Sequence, residues 1–426
     1  MGKNGTPKMV RNGLVAALDV GTTKVCCLIA RANIDRGLFS KPEMKIIGIG
    51  HHVSGGMRSG TVVALDECET AIRATVEAAE QMAGENIRDV VVNLSGGQPK
   101  SRLIAYEISI AGHEIGDADL RRILDPAVLK SGLPKGREIV HTIPVGYSID
   151  GNKGVRDPRG MFGERLGVNM HVISALAGPL RNLEASVQRC HLGVAQKVVS
   201  AYASALACLV EDETQLGVIC IDMGGGTTSL AVFFDGELVH TDSIPVGGVH
   251  VTSDIARGLS TPLAHAERMK TLFGSALTSP SDDREVIKVP LVGEETDGET
   301  SQVPRSMLVG IIRPRVEETL EMVRDRLSAA GFDKVAGRVV ITGGASQLTG
   351  VRELAAGILD KQVRMGRPQA IDGMAEVTAG PAFSACAGLL HYAVSNKAEA
   401  PSAAYCPPEQ ASRGLGRFGQ WIRENF

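Results

Sequence analysis

No stretch of the sequence approaches the roughly 18 to 20 consecutive apolar residues that a membrane-spanning helix needs, and the polar opening from Met1 to Gly13 lacks the apolar core of a signal peptide. A body that folds in water is expected. The eight cysteines (Cys26, Cys27, Cys68, Cys190, Cys208, Cys220, Cys386 and Cys406) include no CxxC pair and no zinc-ligand spacing. Most sit in apolar runs, so they read as reduced core residues of a cytosolic protein. Nor does one sign of charge dominate: 45 Lys and Arg against 48 Asp and Glu leave a formal charge of −3, with no long basic block. Nucleic acid is therefore not the expected ligand. The match of Met1, Gly2 and Thr6 to the myristoylation pattern fixes only three positions and is read as coincidence. What the chain does have is length and apolar content, 426 residues at 43% hydrophobic, enough for a large core and roughly two to four structural units.

Leu14 to Arg31 reads LVAALDVGTTKVCCLIAR: an apolar strand, Asp19, a turn of Gly21, Thr22, Thr23 and Lys24, then a second β-branched strand. Gly217 to Asp235 reads GVICIDMGGGTTSLAVFFD and repeats the design about half a chain later, with Asp222 followed by Gly224, Gly225, Gly226, Thr227 and Thr228. Glycines let backbone N–H groups approach phosphate oxygens, and short hydroxyls add donors without bulk. An Asp beside such a loop would repel a triphosphate directly, so Asp19 and Asp222 are expected to hold Mg2+, through water, while Lys24 supplies a point charge. One such loop is no more than a Gly-rich hairpin turn. Two copies predict two like-folded halves gripping one nucleotide from both sides of a cleft.

Arg338 to Gly350, RVVITGGASQLTG, reads as a strand ending at Gly343 and Gly344, with Ala345 next and a helix opening near Leu348. In the helical stretch Ala264 to Leu272, Glu267 and Lys270 share a face at i and i+3, a pattern that a surface ion pair also explains. The order of these four segments resembles the ATPase core shared by actin, Hsp70 and sugar kinases. That resemblance implies that the hairpins are phosphate motifs, that Glu267 and Lys270 meet ribose or adenine, and that Gly343-Gly344-Ala345 is the adenosine motif. It also implies that the Ala-rich helices near Ser200–Leu209 and Gly380–Leu390 connect the halves, and that Gln196 positions a catalytic water.

From Asn86 to Ser174 an inserted unit is expected, with strands at Val90–Leu94 and Tyr106–Ile110. Its second half carries Ile143-Pro144, Tyr147, Asp150-Gly151 and the turn Asp157-Pro158-x-Gly160-Met161-x-Gly163. This string is similar to the FtsA family of bacterial cell-division proteins, and the resemblance extends from about Leu14 to Val394. It implies an insert used in self-association and in contacts with later division proteins. It also implies that Arg315 and Glu318, which fit the family's Pro-Arg-x-x-Glu pattern after Pro314, contact the C-terminal tail of the tubulin-like FtsZ. Ala345, where a third glycine is frequent, and Thr23, where Ser is common, depart from the family without loss of chemistry.

The sequence ends in a Pro-, Ala- and Ser-rich linker and then LGRFGQWIRENF, which holds the chain's single tryptophan. On a helical wheel Leu415, Phe418, Trp421, Ile422 and Phe426 gather on one side, with Arg417 and Arg423 flanking them, as in an interfacial helix on an anionic membrane surface. Burying five such side chains yields roughly 8 to 12 kcal/mol at most, and ordering the segment takes back most of it. A single tail binds weakly, and a row of tails on a homopolymer binds well.

The expected fold is thus α/β, an actin-like duplicated ATPase fold with an inserted α+β subdomain and a C-terminal amphipathic helix. Its expected divisions are 12–85 with 175–214 and 376–395 (first lobe and connectors), 86–174 (insert), 215–242 with 314–375 (second lobe), 243–313 (small subdomain), 396–414 (linker) and 415–426 (membrane helix). The expected role is an ATP-binding tether of the FtsZ ring at the cytoplasmic membrane face of the division septum, at most a slow ATPase. The alternative is a sugar- or acetate-kinase-type phosphotransferase of the same superfamily, for which the sequence offers no acceptor site.

Overall fold

Each of the two hairpins read from the sequence begins a five-stranded sheet. The computed structural model describes residues 13–33, 43–125, 133–293 and 300–395; the linker, the amphipathic segment and the Met1–Thr6 pattern lie outside the described residues.

In the first lobe β1 (Leu14–Val20), β2 (Lys24–Asn33) and β3 (Glu43–Val53) form an antiparallel meander. A two-residue ribbon, β4 (Met57–Arg58) and β5 (Thr61–Val62), leads into helix α1 (Leu65–Ala83). Its buried face, Cys68, Ala71, Ile72, Thr75, Val76 and Ala79, has the three-to-four spacing of an amphipathic helix, and Gly84 ends it in the left-handed conformation. Then β6 (Asp89–Leu94) pairs parallel with β1. Here the structure corrects the sequence reading, which gave Val90–Leu94 to the insert. The run DVVVNL is buried on both faces, as a central parallel strand must be, whereas the first insert strand alternates half-buried and exposed positions.

The insert is one antiparallel sheet, made of β7 (Lys100–Ser109), β8 (Arg137–Ile149), β9 (Asn152–Val155) and β10 (Arg165–Leu176), with helix α2 (Asp117–Ile123) against it and a small core of its own around Ile110, Ile115, Leu166 and Met170. Helix α3 (Ala177–Arg189) and β11 (Gly193–Val199), parallel to β6, return the chain to the first lobe, and α4 (Ser200–Cys208) and α5 (Glu211–Leu216) carry it across.

The second lobe repeats the first. β12 (Val218–Met223), β13 (Thr228–Phe234) and β14 (Glu237–Ile244) form the meander, followed by α6 (Gly248–Gly258), α7 (Leu263–Phe273), the ribbon β15 (Val286–Pro290) and β16 (Thr300–Pro304), and α8 (Arg305–Ala329). Helix α8 runs unbroken through Pro314, so the expected division between 313 and 314 falls inside one element. Strand β17 (Arg338–Thr342), helix α9 (Val351–Leu359) and β18 (Gln362–Met365) complete the sheet, and α10 (Ser384–Val394) returns to the first lobe. The sheet orders, β3-β2-β1-β6-β11 and β14-β13-β12-β17-β18, are the same topology twice.

Helices α4 and α10 are buried on nearly all sides. At their crossing any Cβ on Gly388 would be driven into the carbonyl oxygen of Ala203, so the backbones themselves are in contact. Among the described residues the seven cysteines are free thiols, and no helix is long and apolar enough to cross a membrane.

Gly388→Ala is expected to lower stability by about 1–3 kcal/mol through overpacking. Gly357→Ala on α9, where an added Cβ meets nothing within 4 Å, is expected to be neutral or to stabilise by about 0.5–1 kcal/mol. Urea unfolding of both variants checks the pair.

Candidate functional site

Both aspartates stand one residue before the end of a central strand, Asp19 opposite Cys26 on β2 and Asp222 opposite Ser229 on β13. The turns that follow are also alike. Gly21 N–H donates to the Lys24 carbonyl at 2.9 Å, and Gly224 N–H to the Thr227 carbonyl at 2.8 Å. The two turns meet tip to tip: a Cβ on Gly225 would lie 2.6 Å from the Thr23 side chain, and one on Gly226 would collide with Thr22. The glycines are what lets the loops come together. Behind the second loop, the N–H groups of Gly248 and Val249 at the start of α6 bind the carbonyls of Gly224 and Gly225 at 3.0 and 2.8 Å. Those oxygens are thereby drawn away from the cavity between the loops.

That cavity, about 180 Å3, is lined by Asp19, Asp222, both turns and Gly343-Gly344. Its lining presents carboxylate, hydroxyl and ammonium groups among glycine backbone. Asp19 is 7% exposed, and burial holds its pKa above the usual carboxylate value, with Lys24 partly opposing. Burial pushes Asp222 up to about 6; the charge of Asp19 adds to the rise, and the 2.6 Å bond from the Ser204 hydroxyl opposes it. Two carboxylates facing one cavity, Asp19 buried and Asp222 half-buried, suit a hard divalent cation. Among the described residues no cluster of three metal-ligating side chains exists. A cation here would take water and phosphate oxygens for its remaining ligands, as Mg2+ commonly does. The backbone at Gly343, φ +91°, brings it against Asp222, where a side chain would strike the carboxylate oxygen.

Several expected residues lie elsewhere. Thr228 does not reach the cavity. The matching turns align it with Val25, a core strand position, and its hydroxyl is spent on the Val246 carbonyl at 2.9 Å. Gln196 is no helix residue and no part of the lining: the β-branched run that follows it extends β11, where it pairs with Val91, and the helix begins only at Ser200. Glu267 and Lys270 sit behind the first turn of α6. There the Lys270 ammonium donates to Glu267 (2.7 Å), Thr252 (2.9 Å) and the Gly248 carbonyl (3.2 Å), which uses all three of its protons. Ala345 lies beside the same Gly248. Lys24 lines the cavity, but its ammonium binds the Ala382 carbonyl at 2.5 Å and sits 3.6 Å over the Phe383 ring. Arg315 lies near the middle of α8, outside the cavity lining, bridged to Asp254 at 2.5 Å and to Glu318; the residues 415–426 lie outside the described ones.

The sequence reading missed the floor of the cavity. Asn93 accepts from Val20 N–H at 2.7 Å and donates to Ser200, and Ser200 and Ser204 project from one face of α4. Their i, i+4 spacing in an otherwise apolar helix was a legible signal.

Residues 219–388 match the family model for the cell division protein FtsA, and residues 96–174 match the model of the SHS2 domain inserted in FtsA. The cell division protein FtsA of Agrobacterium fabrum is 45% identical over 424 residues, covering 98% of this chain and 96% of that protein. The Escherichia coli K12 protein of the same name is 33% identical over 427 residues, covering 97% and 98%. Among solved structures, the PilM-PilN type IV pilus biogenesis complex superposes with a TM-score of 0.63 at 15% identity, covering 92% of this chain and 100% of that one. MreB5 of Spiroplasma citri bound to ADP superposes with 0.51 at 12% identity, covering 89% and 96%. The fold is actin-like.

The raised Asp222 carboxyl gives a stability test with a defined sign. Below its unfolded value of 3.8 both states are protonated and nothing is lost. As pH rises through about 6 the folded state ionises at a cost on the order of 3 kcal/mol, from ~1.4 kcal/mol per unit. Nucleotide-free Asp222→Asn is therefore expected to melt above the wild type at pH 7.5, with the gap closing toward pH 4. Equal melting temperatures at pH 7.5 would contradict this account of the carboxylate.

Proposed function

Because the chain belongs to the FtsA family of cell-division proteins, we propose that it is an ATP-dependent adaptor that ties the FtsZ ring to the cytoplasmic face of the cell membrane at the division septum. The observation that carries the nucleotide half of this reading is the pair of hairpins meeting tip to tip with Asp19 and Asp222 behind them. In it the loop amides and the hydroxyls of Thr22, Thr23 and Thr227 hold the phosphates, Gly343 and Gly344 back the adenosine, and Lys24 is released from Ala382 to meet phosphate charge. The aspartates hold Mg2+ through water, which neutralises the charge that burial now opposes. Hydrolysis, if the site performs it, is slow and times assembly, since Gln196 does not face the cavity.

The partner half rests on family membership and on surfaces remote from the cleft. Arg315 on α8, held in place by Asp254 of α6 and by Glu318, is a fixed guanidinium that contacts the C-terminal tail of a partner, here FtsZ. The insert, with its own core, is the surface that engages later division proteins and other copies of the chain. The segment 415–426 supplies the membrane contact, through Trp421 and its apolar neighbours, and assembly multiplies it. Family membership leaves the phosphotransferase reading without an observation in its favour.

Two variants separate the surfaces. A chain ending at Ser395 is expected to stop sedimenting with vesicles containing anionic lipid while still binding a peptide of the FtsZ C-terminal tail. Arg315→Glu is expected to weaken that peptide at least about tenfold, by reversing a charged contact, and to sediment as before. Vesicle binding by the shortened chain, or unchanged peptide affinity in Arg315→Glu, would remove the corresponding assignment.

A further inference from the structure

Strand β14 ends the second lobe's sheet, yet its outer edge is not open. The hydroxyl oxygen of Ser101, on insert strand β7, lies 2.8 Å from both the amide nitrogen and the carbonyl oxygen of Thr241. His171, on insert strand β10, places Nε2 2.8 Å from that hydroxyl and Nδ1 2.8 Å from the Leu238 carbonyl. Leu103, two residues along β7, packs against the second lobe's core. An exposed sheet edge presents unpaired backbone groups, and here side chains of another unit satisfy them.

The protons in this bracket can be assigned. His171 is fully buried, and burial pulls its pKa down to about 3, so the ring is neutral and has one N–H. The Leu238 carbonyl only accepts, which puts that hydrogen on Nδ1. Nε2 is then an acceptor, so it and the Thr241 carbonyl share the single Ser101 proton, while the Ser101 oxygen accepts the Thr241 N–H. The result is one directed chain that starts and ends on β14.

The same strand touches the cleft at its other end. Ser243 lies 3.1 Å from the Ser229 hydroxyl and donates to the Ser95 carbonyl at 3.2 Å, and Ser95 and Ser229 both line the cavity. The insert, covalently part of the first lobe, is thus fastened to the second lobe two residues from a cavity contact.

We propose that the Ser101–His171 bracket makes the insert follow the nucleotide cleft: when the lobes close, β14 moves, and the insert's sheet reorients with it. The inference rests on the nucleotide reading of the cleft. Motion of one lobe against the other in a hinged pair is absorbed at whichever contacts are weakest. One directed hydrogen-bond chain and a seated leucine make the insert-to-β14 joint stiff, so the insert's own connections to the first lobe take the change.

Hydrogen exchange on the full chain, with and without a magnesium complex of a non-hydrolysable ATP analogue, tests it, with affinity measured separately by calorimetry. In the wild type, exchange in residues 100–109 and 165–176 is expected to change at least about fivefold on binding, the low end of ordinary site-to-site coupling. Ser101→Ala, which removes one oxygen, is expected to bind the analogue within about threefold of the wild type, since Ser101 touches no cavity residue, and to lose that change. Ser243→Ala breaks the path at the cavity end and is expected to lose it as well; it decides the matter alone if Ser101→Ala does not fold. Binding by the wild type with no response in the insert, or an undiminished response in the variants, would overturn the coupling alone. No binding by the wild type would overturn the site reading and the coupling together.

Discussion

The contact on which the rest depends is the crossing of α4 and α10, where Gly388 lies against the Ala203 carbonyl. With the backbones in contact, the two lobes come as close as protein chains allow, and the two aspartates can share one cavity. The same helices furnish its surroundings. Ser200 and Ser204 rise from α4, and the turn before α10 offers the Ala382 carbonyl and Phe383 ring that hold Lys24. Beyond the crossing, the Cys208 thiol, Thr342 and Ser384 are hydrogen-bonded across strand β17 and both helices. A buried polar cluster at this point fixes register, because a slip of either helix would leave hydroxyls unpaired in a dry interior.

The two carboxylates show the opposite use of burial. In the protein alone desolvation strains both Asp19 and Asp222, the charge of Asp19 adds to the strain on Asp222, and Lys24 and Ser204 give partial relief. Such strain is kept where a ligand discharges it, so the cavity is poorer in free energy when it holds only water than when it holds a cation. Lys24, meanwhile, is satisfied by the chain. Neutral contacts hold the positive group and the negative groups lack enough positive partners, which biases the cavity toward cations before anions.

The halves and their hairpins were legible because the signal was local and repeated: a β-branched run, an aspartate and a glycine turn, twice, gave the strands, the turns and the cavity walls. What escaped was set by tertiary context. The run Val90–Leu94 resembles any short apolar strand, and only its burial on both faces assigns it to the first lobe. Thr228 shares its composition with the turn, but the turn closes one residue earlier than its chemistry suggests. Gln196 was placed by resemblance to another chain, while the β-branched residues after it carry the strand on. Glu267 and Lys270 were read correctly as a pair; nothing in their spacing says which side of α6 they face. The bracket at Ser101 and His171 joins residues seventy positions apart, and no periodicity reports it.

Helix α10, the last described element, is built into the core of the lobe that the chain makes first. Cys386 lies against the carbonyls of Ala17 and Cys26, on strands laid down some 360 residues earlier. The first lobe therefore cannot finish folding until the second lobe has been made and α10 has emerged, whereas the insert and much of the second lobe are sequence-local and can fold before that. Until α10 arrives, β1 and β2 keep an apolar face uncovered, a surface for chaperones or for misassociation. Completion of the first lobe and assembly of the cleft are then a single late event, so a chain truncated before Ser384 lacks the cleft altogether rather than having a weakened one.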